Sequence, residues 1–424
     1  MVNNYTTRTI DQLLDEYLPY LPAIAIEGPK GVGKTETALQ RATTTLRMDA
    51  PAVVEMVQAD SSLVANPTGT LLIDEWQLYP SVWDLVRRAV DDGAAPGTYL
   101  LTGSAYPAAD ARIHSGAARI DRIRMRPFAL HERVRNEGPS ISMSDLFEGI
   151  EPDIGAGELD DANLQGVAGE ICQSGFPTIM DLPPKIRDAR LDAYLDRIVT
   201  HEFAEQGLKV RNPQAVMRWL RAYASATSRM DSYTEILDKA TPGEGDKPAR
   251  KTADTYRNLL EQLMILEPLP AWSPFDTKMP PLVSSPKHNL CDPALAARLL
   301  GANEKSLTSG DTKQSALFGQ LFESLVVLSC RVIAETLGAT VSHLRTRQGG
   351  REVDIIIESR DKRVVGVEVK TSAVVGSEEV KHLVWLRNQL GERFAAGIVV
   401  HAGSQFYRSP DGIWVIPLRV LGRV

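Results

Sequence analysis

Cysteine is scarce in this sequence. Only Cys172, Cys291 and Cys330 occur, far apart and without a CxxC spacing. That argues against a disulfide framework and against a thiolate zinc site. The seven histidines show no HExxH or comparable ligand spacing, which removes a common zinc-hydrolase signature. Long apolar runs are missing too, since none approaches the ~18 residues that a bilayer crossing takes. The opening stretch MVNNYTTRTIDQLLDEYL places acids where a secretory leader needs an apolar core. A cytoplasmic protein without membrane contact is the expectation. Positive charge is not in excess either: the formal net charge is -7. A bulk basic surface is thereby excluded, but a local basic patch is not, because whole-chain charge says little about one groove. No internal repeat or long low-complexity segment is present.

What remains is an ordinary globular mixture, 43% hydrophobic and 24% charged over 424 residues, enough for two or three domains. Up to about residue 130, short apolar runs alternate with helical patterns. AIAI (23 to 26), AVVEMV (52 to 57), TLLID (70 to 74) and TYLLTG (98 to 103) read as buried parallel strands. They predict a doubly wound α/β domain. From about Ser142 to Leu269 the pattern is helical. A polar loop, TPGEGDKPARK (241 to 251), lies within it, and a Pro-rich connector (269 to 286) follows. The last ~130 residues return to mixed α/β.

The strongest motif is GPKGVGKT. Gly28, Gly33, Lys34 and Thr35 fit GxxxxGK[ST], directly after AIAI and before a helical TETALQRA. The stretch Gly28, Pro29, Lys30, Gly31, Val32, Gly33, Lys34, Thr35 and Glu36 is therefore the candidate ATP cradle. Its glycines let backbone N–H groups curl around phosphate oxygens, and the helix start adds its positive end. Lys34 would reach the β- and γ-phosphates, and Thr35 would ligate Mg²⁺. LLIDEWQ ends a strand in Asp74, a candidate Mg²⁺ partner, and Glu75, a candidate to polarise an attacking water. Thr102 and Ser104 close another strand, where each hydroxyl either contacts γ-phosphate or water, or satisfies a turn. Arg119 is a candidate arginine finger, which would need a homo-oligomer if it acts in trans. Arg122, Arg124 and Arg126 beside it read equally as a solvated basic face.

A second constellation lies in REVDIIIESRDKRVVGVEVKTSA (351 to 373), which reads as a hairpin. Folded about Asp361, it sets Asp354 opposite Glu368, with Lys370 on the Glu368 face. Opposed like charges destabilise a sheet pair, and a divalent cation between them would reverse the sign. The spacing suits Mg²⁺ or Mn²⁺ with hard oxygen ligands, and Lys370 would stabilise a developing oxyanion or orient water. Glu323, interrupting the apolar helix SALFGQLFESLVVLSC, would approach such a metal from outside the sheet. The alternative is a surface hairpin with an incidental salt bridge.

These residues resemble the PD-(D/E)xK restriction-endonuclease-like fold: Asp354, then Glu368-Val-Lys370, preceded by a helix carrying Glu323. The whole chain resembles prokaryotic AAA-type, STAND-like ATPases, through GPKGVGKT, LLIDEWQ, LLTGS, RPFALHE, the GFP of residues 175 to 177, LFESLV, REVDIII and VEVK. The resemblance implies three parts: a P-loop NTPase domain with a parallel sheet over 1–140, a helical winged-helix middle over 141–286, and a nuclease-like α/β domain over 287–424. It also implies ATP hydrolysis coupled to a DNA-directed, metal-dependent nuclease-like domain; the alternative is a nucleotide-controlled switch that binds without cutting. One departure is His201-Glu202, where many relatives carry Arg-Asp. DNA contact is expected at Arg345, Arg347 and Arg351, which crowd the approach to Asp354. It is also expected at Lys247, Arg250 and Lys251, with Arg257, beside a helix whose apolar face is Tyr256, Leu259, Leu260 and Leu263. For that helix the alternative is a lid or spacer with a solvated basic side.

Overall fold

The computed structural model describes residues 5–104, 116–133, 138–159, 162–208, 210, 212–241, 250–274, 279–372 and 375–423. Among these residues the strands form a five-stranded sheet, a seven-stranded sheet and a two-stranded pair.

The first sheet is parallel. It consists of β1 (Ala23–Glu27), β2 (Thr44–Arg47), β3 (Leu71–Asp74), β4 (Tyr99–Gly103) and β5 (Asp121–Arg124), in the order β2-β3-β4-β1-β5. The runs read as β1, β3 and β4 are continuous apolar stretches because both of their faces are covered. Ile24, Ile26, Leu72 and Leu100 pack on one side, while Ala23, Ala25, Leu71, Ile73, Tyr99 and Leu101 join Trp76, Trp83 and Val86 on the other. AVVEMV is a correction. It lies in a helix, Pro51–Ala59, with Pro at its first turn and Val57 as its buried residue. Its run of valines imitates a strand, but Pro at that position suits a helix start. Two strands escape an apolar search: β2 reads TTLR, and β5 reads DRIR with Ile123 as its buried residue.

The middle of the chain is largely helical, as its pattern predicts: Leu164–Gln173, Pro184–Arg197, a π-helical stretch Ile198–Glu202, Pro213–Ala224, Tyr233–Lys239 and Arg250–Gln262. The apolar face expected on the last is buried at Tyr256, Leu259, Leu260 and Leu263. Isolated antiparallel bridges, Leu266↔Leu290 and Leu269↔Lys287, follow it. Most of the polar loop, 242 to 249, and with it Lys247, lies outside the described residues.

Short strands near the start of this region turn to the C-terminal part. β6 (Ile141–Ser142) pairs with β14 (Leu421–Arg423), and β7 (Gly157–Glu158) lies at the edge of the seven-stranded sheet. That sheet also holds β8 (Thr340–Arg345), β9 (Glu352–Glu358), β10 (Val364–Lys370), β11 (Phe394–His401), β12 (Gln405–Arg408) and β13 (Trp414–Pro417), in the order β7-β12-β13-β11-β10-β9-β8. β9 and β10 form the expected hairpin. Its register, Val364↔Glu358 to Val367↔Ile355, is symmetric about Asp361 and sets Asp354 against Glu368 at the next step.

The helix Thr312–Thr336 is long and apolar enough to cross a membrane by composition, yet most of it is buried. It serves as the central post of the fold. Most of its apolar residues belong to one continuous core that also takes in Leu13, Ile26, Leu146, Leu195, Leu220, Ile357 and Val400, while Leu328 and Val332 pack with Ala129.

Candidate functional site

The nucleotide motif turns where β1 ends. Gly31 and Gly33 have positive φ, 87° and 101°, a backbone region open to glycine at little cost. Gly28 is required by closeness: a Cβ there would lie 2.1 Å from the Met125 carbonyl oxygen. Lys34 begins the helix Lys34–Leu39 and is buried, with its ammonium donating to the Gly28 and Pro29 carbonyls at 2.9 Å each. Burial pushes its pKa down to about 8, against the opposing pull of Glu75 and Asp74.

Three predicted residues meet one turn further. Thr35 Oγ1 donates to Asp74 Oδ1 at 2.7 Å, and Thr102 Oγ1 donates to the same oxygen. β3 and β4 are adjacent and parallel, with Asp74 in register with Thr102, so the sheet itself brings them together. A hydroxyl and a carboxylate facing each other at a phosphate loop are a hard-oxygen donor set that fits Mg²⁺. The Thr102 hydrogen bond fixes the carboxylate behind it, as outer partners of metal ligands do. Glu75 follows in the left-handed region, φ 54°, a conformation that costs a non-glycine residue free energy. The turn aims its carboxylate at Gln77 and at Ser104, whose Oγ donates at 3.3 Å. Gln77 was not singled out in the sequence, although it stands inside LLIDEWQ.

Two further motifs converge on this loop. Phe128 of RPFALHE donates its N–H to the Gly175 carbonyl at 2.7 Å. Phe176 and Pro177 flank the space next to Gly31 and Gly33. Glu132, buried, receives Arg8 Nε and Nη2 at 3.1 Å each and the Thr9 N–H at 2.8 Å. Burial alone would raise its pKa, but the Arg8 guanidinium outweighs this and holds it at about 2. Tyr5, Arg8, Val32, Gly33, Thr37, Met125, Phe128, Pro177 and Met180 line a cavity of about 700 Å³ beside the loop. The departure at His201-Glu202 touches the loop as well. Lys30 Nζ donates to Glu202 Oε1 at 3.0 Å, while His201 turns to Glu205 at 3.1 Å. Arg119 is drawn elsewhere, to Asp91 at 2.8 Å. Arg122 contacts Glu27 and Arg124 contacts Glu267.

The C-terminal acids also converge, but around an unforeseen partner. Lys287 Nζ lies 2.8 Å from Glu323 Oε1, 3.0 Å from Asp354 Oδ1 and 3.4 Å from Glu352 Oε1, with its side chain 3% exposed. Lys370 Nζ donates to Glu368 Oε2 at 2.8 Å, and the Val369 N–H donates to Asp354 Oδ2. Burial opposes ionisation of Asp354, yet the ammoniums of Lys287 and Lys370 hold its pKa below the usual range. Burial pushes Glu323 up to about 8 and Glu368 well up, and the charge of Asp354 adds to both. Two ammoniums, those of Lys287 and Lys370, thus stand among the four carboxylates of Glu323, Glu352, Asp354 and Glu368. No acid, histidine or cysteine group with metal-holding geometry occurs among the described residues, so the C-terminal residues as arranged do not fit the Mg²⁺ or Mn²⁺ expected there. Nothing in PKHNLCD marked Lys287 beforehand.

Of the expected DNA contacts, Arg347 and Arg351 line a groove of about 700 Å³ with Pro280, Pro281 and Trp385. Arg345 lies 3.7 Å from Glu352. Arg250 and Lys251 are exposed at a helix start, whereas Arg257 is engaged by Asp254, Glu261 and the Tyr233 ring.

Three family models match the chain. Residues 21–134 match the AAA domain, 166–306 a domain of unknown function (DUF8612) and 318–421 another (DUF4143). Uncharacterized proteins of Mycobacterium bovis and Mycobacterium tuberculosis are each 23% identical over 402 residues, covering 93% of this chain and 80% of theirs. The P-loop, the Asp74-Glu75 strand end and the sheet that aligns them thus belong to an AAA-type, ATP-binding domain.

Proposed function

We propose that the chain is an ATP hydrolase acting as a nucleotide-controlled switch, whose C-terminal domain binds nucleic acid without cutting it. The carrying observation is the cluster Lys34, Thr35, Asp74, Thr102 and Glu75, assembled by register at the open ends of three parallel strands. The cavity beside Gly33 has the volume of a ligand pocket and is assigned to the base and sugar. Lys34 would hold the terminal phosphates, and Thr35 and Asp74 would hold Mg²⁺. Bound Mg²⁺-ATP supplies the phosphoanhydride and the charge neutralisation its cleavage needs. Glu75, steadied by Gln77 and Ser104, orients a water and accepts its proton. Arg119, paired with Asp91, is left for a neighbouring subunit in a homo-oligomer.

Binding without cutting is favoured at the other end by the Lys287 ammonium among the acids. The Arg347, Arg351 and Trp385 groove offers phosphate contacts and one stacking ring. The three middle helices and their bridged tail support a winged-helix reading, with Arg250 and Lys251 at its outer edge. The test measures ATP turnover together with fluorescence anisotropy of labelled single- and double-stranded DNA, with and without ATP. Turnover that is lost in Lys34→Ala, DNA affinity that depends on ATP, and no Asp354-dependent cleavage are expected. Absence of turnover sinks the hydrolase, and cleavage abolished by Asp354→Ala restores the nuclease reading.

A further inference from the structure

The nuclease resemblance asks for a divalent metal among Glu323, Asp354 and Glu368. The structure brings another cation there. Lys287 arrives from outside the sheet, on the extended segment bridged to Leu269 by reciprocal backbone hydrogen bonds of 2.9 and 2.7 Å. The next residue is stapled to the turn after the helix Pro213–Ala224: His288 donates its N–H to the Arg229 carbonyl, and its own carbonyl receives the Ser228 N–H. With its backbone held on both sides, the Lys287 side chain has little freedom to swing out. An ammonium has three donors, and three carboxylates lie within 3.4 Å of it, those of Glu323, Asp354 and Glu352.

A second observation is independent of these contacts. Glu368 is 4% exposed, and its Oε1 is buried without a hydrogen-bond partner among the described residues, while Oε2 is taken by Lys370. A buried, unsatisfied carboxylate oxygen is costly and calls for an explanation. A donor set built for a dication but filled by a shorter-reaching ammonium supplies one: Lys287 satisfies Glu323 and Asp354 and leaves the far oxygen of Glu368 without a hydrogen bond, with His382 Nδ1 3.9 Å away.

We propose that Lys287 is the resident cation of this acid cluster, standing where a divalent metal would stand and excluding Mg²⁺ and Mn²⁺ from the C-terminal domain. This rests on the non-cleaving reading above and gives it a cause. A dication entering the cluster would meet a desolvated like charge, since the Lys287 side chain is 3% exposed.

Mn²⁺ binding is followed by electron paramagnetic resonance on the nucleotide-free full chain. The proteins compared are wild type, Lys287→Met, the double variant Lys287→Met/Glu323→Gln, and Lys287→Met/Asp354→Asn. Wild type is expected to show no Mn²⁺ site that depends on Asp354. Lys287→Met gains one site at least tenfold tighter than any in wild type, and Asp354→Asn removes it. Mn²⁺ also raises the melting temperature of Lys287→Met but not of wild type. Should Lys287→Met fold only with Mn²⁺ present, that rescue supports the proposal. Should it not fold at all, the double variant, with one buried acid fewer, carries the measurement. An Asp354-dependent Mn²⁺ site in wild type overturns the proposal, as does a folded Lys287 variant that binds none. ATP turnover, measured alongside, reports separately on the hydrolase, because Lys287 lies outside the nucleotide cluster.

Discussion

Lys34 is buried in a loop that keeps its ammonium against two carbonyls, and its pKa falls to about 8. Phosphates placed beside it favour the charged form. The bound-state pKa is therefore the higher of the two, and nucleotide binding takes up a proton wherever the apo lysine is neutral. The sign follows: affinity is full below pH 8 and weakens as pH rises above it, by up to about tenfold per unit. Calorimetry in buffers of different ionisation heat should detect that uptake between about pH 8 and 10. Lys34→Arg, which stays charged, should flatten the slope. Glu75→Gln tests the neighbouring role. Its amide keeps the shape but accepts no proton, so turnover should fall by about 10²–10⁴-fold, with ATP affinity nearly unchanged. Gly28→Ala should weaken ATP binding by at least about tenfold, about 1.4 kcal/mol, because its Cβ meets the fixed carbonyl of Met125; equilibrium binding reads this directly. The nucleotide residues were legible because their chemistry is local in sequence. Lys287 was not, since its partners lie 36, 65 and 67 positions away and one lysine in PKHNLCD carries no periodic signal.

At the scale of elements, legibility followed the apolar pattern. β1, β3, β4 and the β9–β10 hairpin have buried, β-branched or leucine-rich strands between turn signals. The hairpin register came from symmetry alone, because a two-residue side-chain period tolerates no slip. β5 was hidden because its outward residues are charged and find partners only in the fold. The π-helical stretch Ile198–Glu202 was equally silent. π-turns inside helices concentrate at functional sites, and this one delivers Glu202 to Lys30 of the P-loop. Lys30 is 40% exposed, so the pair contributes roughly 0–1 kcal/mol to stability. Its role is better sought in coupling. ATP should slow amide exchange across residues 184 to 205 in the wild type. Glu202→Ala should abolish that protection while changing ATP affinity less than about fivefold. Protection that survives Glu202→Ala would assign the coupling to another contact.

For the molecule as a whole, Glu267 is the residue on which the parts meet. Its carboxylate lies 2.9 Å from Arg126 just after β5, 3.5 Å from Arg124 within β5 and 3.5 Å from Arg331 on the central helix. Arg126 also reaches Glu335 at 3.0 Å. Nucleotide sheet, middle segment and C-terminal helix therefore share one charge network, over a core that is continuous from Leu13 to Leu421. No composition shift in the sequence announces this, because each arginine looks like a solvated charge until its acid arrives from elsewhere. Burial alone would raise the pKa of Glu267, but the three guanidiniums hold it far below the usual carboxylate range. A depressed carboxyl contributes stability that is present above its unfolded pKa and is lost only as pH falls through its folded one. The contribution should therefore persist until strongly acidic pH. Glu267→Ala leaves Arg124, Arg126 and Arg331 facing one another, and breaking a buried pair from one side costs about 3–5 kcal/mol. Glu335→Ala, at a side chain 26% exposed, should cost clearly less, since Arg126 keeps Glu267. Urea unfolding of the two variants at neutral pH decides between a shared hub and two independent pairs. Equal losses would point to independent pairs. A larger loss for Glu267→Ala, with the unfolding transition split in two, is what a single network joining the parts requires.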